Sequence, residues 1–341
     1  MVVSCSSPES NRIPHRVAGG RINRIVLAGQ PSLRGVDVLN HQVVWVSGSK
    51  GTFARSVDGG ATWVQGKIGN DTLLDFRDIH AFSPVSAIAM SAGSPARIYK
   101  TVDGGISWVL KYENTDSLIF FDSFDFCDAQ RGVAFGDPIN GVFPIIRTDD
   151  GGETWEQVNG GLLPKPLPHE AGFAASGTSV VYNPNGLILC GTGGDQARVL
   201  RSPDSGSTWE AIATPLMAGS PSLGIYSIAS IDSITFVITG GNWQQEQAAI
   251  DNTAISFDAG RTWQLTGSFP SGFRSAIRYL PVSRMIVASG PNGTDISDDM
   301  GGSWQKTETE GYHALDVSGD ERFIVFVGSR GRVGWIAVSG R

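Results

Sequence analysis

The sequence predicts an all-β fold, a seven-bladed β-propeller with four-stranded blades whose last blade is closed by an N-terminal strand. Three observations predict it. An eight-residue turn motif recurs six times, an apolar run ending near glycine recurs seven times, and a strand is spare at the N-terminus where one is missing at the C-terminus. Tandem units of this length that each supply one small sheet stack into a closed ring.

The turn motif reads Ser/Thr-x-Asp-x-Gly-x-Thr/Ser-Trp. It occurs at 56–63 (SVDGGATW), 101–108 (TVDGGISW), 148–155 (TDDGGETW), 202–209 (SPDSGSTW), 256–263 (SFDAGRTW) and 297–304 (SDDMGGSW). Its aspartates, at 58, 103, 150, 204, 258 and 299, are spaced by 45, 47, 54, 54 and 41 residues. An aspartate in a turn accepts hydrogen bonds from backbone N–H groups just ahead of it, and glycine supplies the φ > 0 conformation. The tryptophan then opens the next strand with a large apolar face. A calcium loop needs more converging oxygen ligands than this motif offers, so the turns are read as structural.

The apolar run occurs as VVWVSG (43–48), SAIAMSAG (86–93), GVAFG (132–136), GLILCG (186–191), ITFVITG (234–240), RMIVASG (284–290) and RFIVFVG (322–328). Before each comes a strand-like segment, beginning near Leu33, Phe76, Phe121, Ala171, Ile225, Phe273 and Tyr312. After each comes a third strand leading into the turn motif. The seventh repeat lacks that turn and ends with 332–338 (RVGWIAV), so 22–28 (INRIVLA) is expected to complete its sheet and remove an exposed edge. Residues 1–20 are then an N-terminal extension and 21–341 the propeller.

Strand alternation places the start of every first strand on one face of the disc and the turn motifs on the other. The long loops 136–143, 159–170 and 241–253 fall on the first face, where binding is expected because loops on a rigid scaffold carry function. Aligning the first strands puts Arg34, Arg77, Asp122, Glu170 (just before Ala171), Tyr226, Arg274 and His313 around the mouth of the central channel. Arg274, His313, Arg34 and Arg77 form a positive arc opposite Asp122, Glu170 and Tyr226. Converging guanidinium groups suit a carboxylate or another planar anion.

Bulk composition narrows the partners. The 341 residues include 40% apolar and 17% charged residues, with 44 glycines and 17 prolines, which suits a turn-rich globular chain. A net charge of -7 argues against nucleic acid, whose phosphates are bound by lysine and arginine. No apolar run approaches the roughly 18 residues of a membrane span. No dinucleotide fingerprint opens a helix. No catalytic residue, cofactor or metal is assigned. Cys127 and Cys190 lie in apolar strands and read as buried free thiols. Residues 2–5 (VVSC) have the small-residue pattern that precedes the acylated cysteine of bacterial lipoproteins, although the charged and apolar regions of a signal peptide are missing. Export to the periplasm, cell surface or medium, with a lipid anchor at Cys5, is therefore an expectation.

The strings FRDIHAF (76–82), GDPINGVF (136–143) and GFRSA (272–276), each followed by a turn motif at the right distance, resemble the photosystem II stability/assembly factor family and its bacterial relatives. The resemblance covers roughly residues 33 to 335. It implies a seven-bladed assembly factor that binds membrane-protein precursors through an arginine-rich patch. The turn motifs themselves, known as Asp boxes or BNR repeats, are shared more distantly with sialidases, and Arg12-Ile13-Pro14 is similar to an early sialidase motif. In that family three arginines hold a carboxylate beside a Tyr/Glu nucleophile pair and an Asp acid/base, a set that Arg34, Arg77 and Arg274 with Tyr226, Glu170 and Asp122 could imitate. The reading is a non-catalytic binding or assembly propeller whose partner is a protein, a peptide or a small anionic ligand (carboxylate or glycan). The alternative is a glycoside hydrolase of sialidase-like architecture.

Overall fold

A computed structural model describes residues 22–337. Seven antiparallel sheets follow one another around a ring. Blade 1 runs Leu33–Val38, Val44–Gly48, Thr52–Ser56 and Val64–Lys67, from the axis outward. Blade 2 begins with Asp75–Ala81, blade 3 with Phe121–Phe126, blade 4 with Val180–Tyr182, blade 5 with Ser220–Ser230, blade 6 with Ala276–Leu280 and blade 7 with Ala314–Val317. The strand Asn23–Val26 pairs antiparallel with Arg332–Ala337, Asn23 opposite Trp335 and Val26 opposite Arg332. The last sheet is thus completed from the other end of the chain. Residues 1–21, which include Cys5 and Arg12, lie outside the described residues.

Apolar side chains on both faces of the second strands explain why the sheets pack on one another. Val44–Gly48, Gly132–Gly136 and Phe323–Val327 are buried throughout. An apolar core fills every one of the seven interfaces between neighbouring blades, from Trp45, Phe53, Phe76 and Ile79 between blades 1 and 2 to Val36, Val46, Val325 and Val333 between blades 1 and 7. Cys190 is buried in the core between blades 3 and 4, and Cys127 is half-buried against it; both are free thiols.

The six turns share one hydrogen-bond pattern. In the first, the Ser56 hydroxyl donates to Asp58 Oδ1 (2.8 Å) and accepts from Gly60 N–H (2.9 Å). Thr62 donates its N–H to Oδ1 (2.8 Å) and its hydroxyl to Oδ2 (2.5 Å). The same contacts recur at Asp103, Asp150, Asp204, Asp258 and Asp299. These bonds favour the charged form, and hydrogen bonding by Ser107 holds the Asp103 carboxyl at about 2. Both carboxylate oxygens are filled from within each turn.

A second device holds the blades together near the axis. Asp316 Oδ2 accepts Val38 N–H (2.7 Å), Asp37 Oδ2 accepts Ala81 N–H (2.7 Å), Asp78 Oδ2 accepts Phe124 N–H (2.8 Å) and Asp125 Oδ2 accepts Tyr182 N–H (2.7 Å). Each first strand therefore clasps the first strand of the next blade, from blade 7 round to blade 4. Ser227 plays the same part toward Ile277 N–H (2.9 Å) between blades 5 and 6.

Candidate functional site

Backbone register decides which side chains reach the mouth of the channel. The first strands of blades 1, 2, 3 and 5 each carry a bulge, between Leu33 and Gly35, Phe76 and Asp78, Phe121 and Ser123, and Ile225 and Ser227. The extra residues are Arg34, Arg77, Asp122 and Tyr226. A bulge turns its extra residue out of the sheet alternation, here toward the axis.

Blade 6 departs from the sequence alignment by one residue. Ala276 pairs with Ser289 as Gly35 pairs with Ser47, so Ser275 rather than Arg274 is the counterpart of Arg34. A shift of one residue sends a side chain to the opposite face. Arg274 accordingly points into its own blade and is fully buried. Its guanidinium is bound by Asp295 and Asn292, by Ser271 Oγ (2.9 Å) and by Phe273 O (2.7 Å). The expected third channel arginine is a structural one.

Blade 4 departs further. Ala171 does not begin its first strand, which starts at Val180. Residues 171–177 instead form a strap across the channel. Gly172 N–H donates to Asp137 Oδ1 (2.8 Å), Arg77 Nη1 donates to Ala174 O (3.3 Å) and Arg34 Nη1 to Ala175 O (3.0 Å). The Phe173 ring stacks on Tyr226 with centroids 3.9 Å apart, and Ser176 Oγ donates to Ser275 O (2.6 Å). Only glycine allows this approach at position 172, where a Cβ would lie 2.1 Å from Asp122 Oδ2.

The strap covers Asp122, which is 1% exposed and lies beside Asp137. Burial first, and then the charge of Asp137, push its pKa well above the usual range; burial raises Asp137 to about 6. Glu170 is drawn away as well. Its carboxylate is gripped by Arg198 (Nε at 2.9 Å) and accepts Thr192 Oγ1 (2.6 Å) and Leu167 N–H (2.7 Å), so it fastens the 159–170 loop.

Above the strap lies a cavity of about 400 Å³. Arg34, Arg77, Tyr226 and His313 line it, four of the seven residues expected at the mouth. Arg34 forms no ion pair among the described residues; burial, then neighbouring Arg77, lower its pKa to about 10, so it stays charged at neutral pH. Arg77 shares its charge with Asp75 (2.8 Å). The His313 ring has Nδ1 3.1 Å from Leu33 O, the geometry of an Nδ1–H donor, which leaves Nε2 as an acceptor. Burial, then Arg34, lower the His313 pKa to about 3, so the imidazole is neutral. The Tyr226 hydroxyl donates to Ser222 O (2.9 Å), and its ring forms an apolar wall with Phe173 and Phe273. Trp243 and Glu246, from the 241–253 loop, complete the lining. Neither was singled out by the alignment of strand starts, although their loop was.

The arrangement offers guanidinium donors and one imidazole acceptor beside an aromatic wall. It does not assemble the sialidase-like set. Asp122 lies under the strap, Glu170 is bound by Arg198, Arg274 by Asp295, and the Tyr226 phenol is held by a backbone carbonyl and raised in pKa by burial. Below the strap a second cavity of about 220 Å³ is lined by Asp37, Asp78, Asp125 and Asp316 with His80 and Arg278.

Among solved structures, the fold is similar to "YCF48 bound to D1 peptide" (16% identity, TM-score 0.66, covering 94% of this chain and 97% of that one). It is also similar to YCF48 from Cyanidioschyzon merolae (16%, TM-score 0.65, covering 93% and 98%) and to the Pan2 WD40 domain of Neurospora crassa (12%, TM-score 0.61, covering 91% and 90%). These likenesses show the propeller fold. No family model matches the chain, and no curated protein matches it in sequence.

Proposed function

We propose that the chain is a non-catalytic binding propeller that takes a protein or peptide segment at the strapped mouth and holds a carboxylate of that segment with Arg34 and Arg77. The carrying observation is Arg34, a charged guanidinium in a concave, aromatic-walled cavity whose hydrogen bond among the described residues goes to a strap carbonyl and not to an acid. A carboxylate supplies the missing counter-charge and accepts the remaining N–H groups. The similar YCF48 structure is bound to a D1 peptide, which supports a peptide as the occupant.

Calorimetric titration with short acetylated peptides that end in either a free carboxylate or an amide tests this reading. Carboxylate peptides are expected to bind, amidation to weaken binding about tenfold, and Arg34→Ala to remove the difference, as loss of a charge-assisted hydrogen bond of about 1.5–3 kcal/mol would do. Equal binding of the two series to the wild-type protein would refute it.

A further inference from the structure

Resting on that reading of the cavity, we infer that its ligand also carries a cationic side chain, lysine or arginine, which Trp243 and Glu246 receive on the wall opposite Arg34 and Arg77.

The ring geometry sets the two charges apart. Arg34 and Arg77 belong to blades 1 and 2, and the loop bearing Trp243 and Glu246 leaves blade 5. In a ring of seven, blade 5 is three steps from either, the largest separation available. All four residues nevertheless line one cavity. One wall is thus cationic, and the other carries Trp243 and Glu246.

The Glu246 carboxylate has no ion pair or hydrogen bond among the described residues, whereas its backbone carbonyl is firmly held. That carbonyl accepts Phe273 N–H (2.9 Å) and Asn292 Nδ2, and Gly272 packs so close that a Cβ there would sit 2.2 Å away. Bonds from Gln245 N–H to Asn242 O (3.0 Å) and Ala248 N–H to Gln245 O (2.8 Å) brace the turn. The backbone is therefore fixed while the acid is left unspent. Trp243, 52% exposed, stands three residues away on the same turn. A carboxylate next to an open aromatic face attracts an ammonium or guanidinium group by charge and by cation–π contact. Because the loop is already ordered, little ordering is lost on binding.

The test uses acetylated Gly/Ser peptides with a free C-terminal carboxylate and one lysine placed one to four residues before it, each matched by a peptide with norleucine in place of lysine. At one spacing the lysine peptide is expected to bind the wild-type protein about fivefold tighter at low ionic strength. Glu246→Gln is expected to erase that preference; Glu246→Lys reverses it. Folding of both variants is checked by melting temperature. Equal affinity of lysine and norleucine peptides at every spacing would overturn this inference while the dependence on the terminal carboxylate stands. Should neither series bind, the carboxylate reading fails and takes this one with it.

Discussion

Arg34 and Arg274 follow apolar residues at the start of first strands, and the sequence offers no mark that separates them. Arg34 sits in a bulge and faces the cavity, while Arg274 is one register position earlier and neutralises Asp295 inside the blade. Removing one partner of a buried ion pair leaves the other charge without compensation. Arg274→Ala is therefore expected to destabilise the fold by about 3–5 kcal/mol, in the range for broken buried pairs, while Arg34→Ala stays near the wild type; urea denaturation distinguishes them. A stable Arg274→Ala protein would contradict the structural role assigned to that residue. The residue scale is where sequence reasoning was weakest. A bulge is a property of pairing between two strands, and neither strand alone announces it.

The strap and the clasping aspartates belong to the scale of elements. Residues 171–177 look like another first strand, because FAAS is apolar and small and precedes a second apolar run. Only the two glycines that meet carboxylates, Gly172 over Asp122 and Gly177 (φ +69°) beside Asp78, point to a segment lying against other blades. The clasps were more accessible, since an aspartate recurs late in four first strands, at Asp37, Asp78, Asp125 and Asp316. Beneath the strap, Asp122 and Asp137 keep their protons to higher pH when folded than when unfolded, where a carboxyl titrates near about 3.9. An acid whose folded pKa is raised loses stability as pH rises from its unfolded value through its folded one. The pair should thus weaken the fold from about pH 4 upward through about 6, the value for Asp137. The stability of Asp122→Asn relative to the wild type is expected to be greater at pH 8 than at pH 4.5, read as the shift in urea midpoint. A parallel pH dependence in the two proteins would remove the strap carboxyls as its cause.

At the scale of the whole molecule the fold was legible, because seven apolar runs and six turns at blade spacing leave few other architectures. The spare strand also reads correctly: Asn23–Val26 closes blade 7 against Arg332–Ala337. Deleting residues 1–28 would bare the Arg332–Ala337 edge and uncover Trp335, which packs against Trp63 of blade 1. The truncated protein is expected to melt several degrees lower and to self-associate, as unpaired edges do; thermal unfolding with light scattering checks both. An unaltered, monodisperse protein would show that the ring holds without its clasp.

The strap gives this wheel a floor where an open hub would otherwise be. Phe173, Ala174 and Ala175 face one chamber, and two residues later Gly177 faces the other. A peptide cannot thread from rim to rim, and whatever lodges among the arginines must leave by the doorway it came through. On the proposed reading, residence time would be governed by one threshold, and a partner long enough to project from it would stay within reach of other proteins while its end is held.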